Sequence, residues 1–360
     1  MSFSPSPLRR LPLDMHSLLL KAEARSHPLR QLFWECTLRC NLRCRHCGSD
    51  CTASAVVPDM PFQDFEKVLL RLKEAYDPSR ILIILSGGEP LMREDLARCG
   101  ARIRQLGFPW GMVSNGCLLT AEKLKELVGA GLRTITVSLD GLETEHDWMR
   151  GIPGTFARTD TAVRMLSQLP SLGFDVVTCV TGKNFSLLPA IKEYLVGAGV
   201  KSWRIFTVFP VGRAATDREL QLSPEQLRSL MEFIAECRKE KRIHASYGCE
   251  GFLGPWEGRV RDHLFSCQAG LSIASVRIDG TISGCTSIRS AYGQGNIYKD
   301  DFVQVWEQRF GLYRDRTPLR TGPCAGCKSW KWCRGSGMHL RDNEGRLLLC
   351  TLDRLTAQGR

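Results

Sequence analysis

Long hydrophobic runs are missing from this chain. No stretch approaches the ~18 apolar residues that a membrane span needs, so no span is expected. The first thirty residues carry Arg9, Arg10, Lys21, Arg25 and Arg30 and no extended apolar segment, so they do not read as a secretory signal. Acidic residues are in short supply. There are 38 Asp and Glu against 49 Lys and Arg, a net charge of +11. The excess is spread along the chain and not gathered in a tail, which favours a solvated basic surface over a dedicated polyanion-binding arm. Cysteine, by contrast, is abundant, with sixteen in 360 residues. Without a secretory signal a disulfide framework is not expected. Cysteines at metal-ligand spacings in a reducing cytoplasm are the better reading. Hydrophobic residues make up 43% of the chain, enough for an ordinary globular core of one large or two moderate domains.

Residues 1–30 hold Pro5, Pro7, Pro12 and Pro28 around a mixed segment, Leu13 to Ala24, that suits a short amphipathic helix capping the domain or meeting a partner. From Gln31 the pattern alternates. Strands are expected at Leu32–Cys36, Ile81–Leu85, Pro109–Ser114, Thr134–Leu139, Asp175–Val180 and Trp203–Val208, and helical periodicity falls between them. Six such βα units imply a parallel sheet with right-handed crossovers, too few for a closed eight-stranded barrel. An open, partial (β/α)6 barrel over 31–210 is therefore expected, with its site at the C-terminal ends of the strands. Ser223-Pro224-Glu225-Gln226 is a capping box opening a helix in a linker, 211–244. Residues 245–360 are rich in glycine and cysteine and poor in periodic runs, as a small metal-held domain would be.

The first strand feeds Cys40, Cys44 and Cys47, spaced C-x3-C-x2-C. Three thiolates on a four-iron cluster leave one iron open for a ligand, the logic that separates catalytic from structural zinc sites. A zinc knuckle is the alternative. Ser86-Gly87-Gly88-Glu89-Pro90 follows the apolar strand: two glycines permit close approach and Glu89 offers a carboxylate to a cationic group. Ser114-Asn115-Gly116 and Ser138-Leu139-Asp140-Gly141 end the next two strands on the same face.

Together these motifs resemble the radical S-adenosylmethionine (SAM) enzymes. The resemblance implies a 4Fe–4S cluster on Cys40, Cys44 and Cys47 with His46 as the aromatic residue before the last ligand, and SAM held by Ser86, Gly87, Gly88, Glu89, Ser114, Asn115, Ser138 and Asp140. Arg150 is then a candidate for the SAM carboxylate, against the alternative of a surface salt bridge. The C-terminal cysteines resemble the SPASM subgroup: Cys267-x12-Gly280-x4-Cys285, then Cys324-x2-Cys327-x5-Cys333, then Cys350. By that pattern Cys324, Cys327, Cys333 and Cys350 hold one auxiliary 4Fe–4S cluster. Cys267 and Cys285, with Cys249 upstream, serve another or a zinc site. The pattern's further cysteine, four residues after Cys333, is Gly337 here, so this set is short of a thiolate.

The resemblance implies a peptide or small protein substrate and a reductant such as flavodoxin or ferredoxin. The wording around Cys36 to Cys51 also resembles a subgroup paired with small lipoproteins. Thr286 stands where sulfatase-maturing members carry aspartate, which argues against that activity. A radical SAM enzyme acting on a sugar or tetrapyrrole is the rival within the superfamily. A zinc-ribbon nucleic-acid binder is the rival outside it, disfavoured because a binding module needs no SAM site. Cys36, Cys51, Cys99, Cys117, Cys179 and Cys237 match no motif and read as small buried hydrophobes.

Overall fold

The computed structural model describes residues 3, 5–248 and 251–356. Cys249, one of the expected ligands, lies outside the described residues. Alternating apolar runs and amphipathic helices form a parallel sheet: β1 (Gln31–Thr37), β2 (Leu82–Gly87), β3 (Trp110–Ser114), β4 (Leu132–Ser138), β5 (Gly173–Val180) and β6 (Ser202–Thr207). These are paired in sequence order, β1 to β6. The intervening helices are α2 (Phe62–Ala75), α3 (Leu96–Gln105), α4 (Ala121–Gly129), α5 (Glu143–Arg150), α6 (Thr155–Ser167) and α7 (Leu188–Gly197), preceded by α1 (Pro7–Ser26). Thr120 caps α4 by accepting from the Lys123 amide. The capping box of α8 (Pro224–Glu240) is formed as its sequence predicts.

Beyond the six expected strands the sheet continues at both ends. α8 leads into a seventh parallel strand, β7 (His244–Tyr247), beside β6. The cysteine-rich segment adds β8 (Ile273–Val276) parallel to the free side of β1, then β9 (Thr281–Ser283) and β10 (Gly295–Asn296) antiparallel. The result is one ten-stranded open sheet, ordered β10-β9-β8-β1-β2-β3-β4-β5-β6-β7. The core is continuous with it: Trp34, Ile83 and Leu85 on the first strands share one buried cluster with Val276, Ile282, Trp306 and Tyr313.

α1 is longer than its sequence suggests and lies over the C-terminal region. Leu13 packs with Phe252, Phe265 and Trp332, and Asp14 accepts from the Trp332 indole at 2.8 Å. Among the described residues no helix is long and apolar enough to cross a membrane.

Candidate active site at the strand ends

The loop after β1 carries Cys40, Cys44 and Cys47, and its backbone is tied to elements far along the chain. The Arg43 and Arg45 amides donate to the Arg150 and Met149 carbonyls at the end of α5, at 3.3 and 2.9 Å. Arg213, which the sequence did not single out, donates from Nε to the Cys44 carbonyl at 2.8 Å and pairs with Asp50 at 2.6 Å. Leu42, Cys44 and Cys117 form a small buried group joined by Cys40 and Cys47. Burial pushes the Cys40 thiol up to about 12. Burial also raises Cys44, with the Arg150 guanidinium opposing. The Cys51 thiol donates to Cys47 and draws it down. Cys40, Cys44, Cys47 and Cys51 are in no disulfide.

Glu89 lies at the end of β2 and is 1% exposed. Its Oε1 accepts from Ser114 Oγ at 2.8 Å and from the Leu91 amide at 3.1 Å, and its Oε2 accepts from the Asn115 amide at 2.7 Å. Burial raises its pKa and these hydrogen bonds oppose the rise. Asn115 Nδ2 reaches Asn41 Oδ1 at 2.8 Å and Cys40 Sγ at 4.0 Å, so the β3 end is joined to the cysteine loop.

The glycines before Glu89 serve a close approach of backbone to backbone. A Cβ on Gly87 (φ +122°) would lie 2.2 Å from the Thr37 carbonyl oxygen, and one on Gly88 would lie 2.2 Å from that of Arg39. The Gly88 amide donates to Thr37 at 2.8 Å, so it is committed within the protein.

Ser138, half-buried at the β4 end, is followed by Asp140, which is fully buried. Asp140 Oδ2 lies 2.6 Å from Arg150 Nη2, and Oδ1 accepts from the Cys179 amide at 2.8 Å. Burial alone would raise Asp140, but Arg150 and the nearby His46 and His146 hold it below the usual carboxylate range. Arg150 is 5% exposed, and its Nη1 is 3.6 Å from Cys44 Sγ, so it is no surface salt bridge. Burial opposes its charge, yet Asp140 and Cys44 hold its pKa above the ordinary value.

Cys179 departs from its reading as a core hydrophobe. It is half-buried at the end of β5, and its Sγ lies within 4.8 Å of ligand atoms of His46 and Asp140. Cys51 and Cys117 likewise line the cysteine loop, whereas Cys36, Cys99 and Cys237 are buried among apolar neighbours as expected.

Buried polar atoms without a partner surround this loop: Ser86 Oγ, Arg150 Nε, His46 Nδ1 and His146 Nε2. Such atoms call for a ligand. A guanidinium suits a carboxylate, and three free thiols suit iron. The residues present therefore fit a 4Fe–4S cluster with SAM.

The C-terminal cysteines form two further sets. Cys324, Cys327, Cys333 and Cys350 line one cavity, closed by Phe252, Trp330 and Leu352. Burial pushes Cys333 up to about 12. Arg341 Nη2 lies 3.6 Å from Cys324 Sγ. Cys267 sits beside Arg316. Burial would raise its thiol, but that guanidinium and the Met338 amide bring it below the usual value. Cys285 is raised by burial, with Cys267 adding to the rise.

An α/β sheet that gathers three thiols, a buried carboxylate and a buried guanidinium at its strand ends offers a donor set that suits an iron–sulfur cluster. The family model described as the Radical SAM superfamily matches residues 34–195, the span that holds this site. Residues 34–195 therefore carry a radical SAM domain, of the type that uses SAM and a 4Fe–4S cluster, and the cysteine-rich region after it has a spacing that resembles the SPASM subgroup. It is 28% identical to the AdoMet-dependent heme synthase of Methanosarcina barkeri over 85% of this chain and 90% of that protein. It is 29% identical to the mycofactocin maturase MftC of Mycolicibacterium smegmatis over 85% of this chain and 77% of that protein. In fold it resembles Streptococcus suis SuiB bound to S-adenosylmethionine, with a TM-score of 0.67, 16% identity, and coverage of 92% of this chain and 79% of that one.

Proposed function

We propose that Cys40, Cys44 and Cys47 hold the catalytic cluster and that the protein uses SAM to abstract hydrogen from a peptide or protein segment. The observation that carries the site is Glu89. It is a carboxylate buried at a strand end and fixed by Ser114 and Asn115, within one side chain of the cysteine loop. When bound, the cluster and SAM would supply hydrogen-abstracting radical chemistry. Glu89 would hold the SAM ammonium, and Arg150 Nε, which has no other partner, would hold the carboxylate. Asp140 keeps that guanidinium charged and oriented, and Ser86 and Ser138 line the strand ends beside it. The low-polarity wall of Leu42 and Ile152 keeps water from the loop. Cys324, Cys327, Cys333 and Cys350 hold one auxiliary cluster, and Cys267 and Cys285, with Cys249, hold part of a second.

The peptide reading is supported by the similarity to the mycofactocin maturase and by the SPASM-type cysteine spacing. A second reading, a tetrapyrrole substrate, is supported by the similarity to the heme synthase, which extends over more of that relative's length. The net charge of +11 suits a carboxylate-bearing substrate in either case. A low-potential protein such as flavodoxin or ferredoxin supplies the electron.

The test is anaerobic turnover with SAM and reductant, offering small peptides encoded beside the gene in one series and iron porphyrins bearing propionates in the other. A mass change on a peptide, matched by 5′-deoxyadenosine, is expected. A change on the porphyrin alone would replace the first reading by the second.

A further inference from the structure

The thiolate set around Cys267 has a neighbour that cysteine spacing does not reveal. A Cβ built on Gly337 would lie 2.5 Å from Cε1 and 2.9 Å from Nδ1 of His339. The imidazole therefore fills the space that a side chain at 337 would occupy. His339 is 8% exposed, and its Nε2 is buried with no hydrogen-bond partner. A histidine serving only to fill the core would be expected to satisfy that nitrogen.

The backbone that carries the ring is tied to Cys267. The amide of Met338, the preceding residue, hydrogen-bonds the Cys267 sulfur. Arg316 bridges the two segments, donating to the Ser336 carbonyl at 2.9 Å and to the Cys267 carbonyl at 3.2 Å. Phe209, at the end of the core sheet, lies against the ring with centroids 4.7 Å apart and sets its orientation. Burial, with Arg316 adding, pushes the imidazole down to about 4, so it is neutral at ordinary pH, the form that ligates metals.

We propose that His339 ligates, through Nε2, the iron–sulfur cluster held by Cys267 and Cys285, in place of the thiolate that Gly337 lacks. This rests on the reading above that an auxiliary cluster is bound there. A neutral imidazole in place of a thiolate leaves the cluster one charge less negative, which raises its reduction potential, as in Rieske centres. This cluster would then be an easier electron acceptor than a cluster with four thiolates.

The test uses the full chain produced with 15N-histidine in a histidine auxotroph, reconstituted, reduced and examined by pulsed electron paramagnetic resonance. A 15N coupling of directly bound strength is expected. His339→Cys is expected to keep its iron, lose the coupling and show a more negative potential for that cluster. A cluster that depends on Cys267 and Cys285 but shows no 15N coupling in the unsubstituted chain would overturn His339 ligation and leave the auxiliary-cluster reading standing. Unchanged iron content after Cys267 and Cys285 are both replaced by Ala would overturn both, because no cluster would then sit between them.

Discussion

Glu89 already accepts three hydrogen bonds, and a carboxylate has room for about one more. An ammonium approaching it would form a charge-assisted bond in a dry environment. Replacing Glu89 by Gln keeps the size and removes the charge. Losing such a bond costs about 1.5–3 kcal/mol, so SAM affinity should fall roughly 10- to 150-fold. Titration calorimetry measures this directly, and unchanged affinity would place SAM elsewhere. Replacing Cys40, Cys44 and Cys47 together by Ala should abolish 5′-deoxyadenosine formation and leave the absorbance of the proposed C-terminal clusters. Undiminished product in that variant would sink the assignment of the catalytic cluster. At this scale the sequence was informative where the gathered residues are neighbours in the chain. The cysteine triplet stood out by its spacing and Glu89 by its place after a buried strand, while Asn115 and Asp140 stood out by their resemblance to family motifs; the structure brings them together at the strand ends. Arg213 and Cys179 did not stand out, because they reach the loop from other strand ends; Arg213 is 169 residues from Cys44. The choice between surface and site for Arg150 was also closed to sequence, since an arginine in a charged eight-residue helix looks the same in either role.

The elements around the cysteine loop are joined by a buried ion pair. Glu35 on β1 is 1% exposed, and its Oε1 is 2.5 Å from Arg289 Nη2. Its Oε2 accepts from the Ile278 amide at 3.0 Å. Arg289 also reaches Ser49 in the cysteine loop. The cysteine-rich region is thereby fastened to the strand that feeds the cysteine loop. Arg289→Ala would leave Glu35 buried without its cation, a loss of about 3–5 kcal/mol. We expect a lowered thermal midpoint and faster loss of iron from the catalytic loop. A double variant, Glu35→Gln with Arg289→Ala, should recover part of the stability because no buried charge remains. Denaturant titration of the three proteins checks this, and equal stabilities would show that the pair is energetically idle. The long βα elements were legible because their apolar period persists over several turns or a whole strand. α5, β7 and β8 were not, because eight, four and four residues carry too little period to stand out.

At the scale of the whole molecule, the core and the cysteine-rich region share one sheet. β8 covers the free side of β1 in parallel register, Gln31 against Ile273 through Trp34 against Val276. The sequence pointed to two successive modules, because the change in composition near residue 245 is abrupt, but composition says nothing of which edge the later strands join. The consequence is testable by cutting the chain. A fragment of residues 1–248 would keep the radical SAM match and every residue assigned here to the catalytic cluster. It would also expose the β1 backbone edge and strip Val276, Ile282, Trp306 and Tyr313 from the shared core. An uncovered edge beside apolar side chains is a template for aggregation. α1 would lose Phe252, Phe265 and Trp332, the residues that bury Leu13. We therefore expect the fragment to aggregate on size-exclusion chromatography, or to show helical circular dichroism without a cooperative melt. Reconstitution with iron and sulfide should not rescue it, because the catalytic loop also loses Arg289. A monomeric fragment that melts cooperatively would show that β1 through β7 form an independent unit, with the cysteine-rich region added as a separable cover.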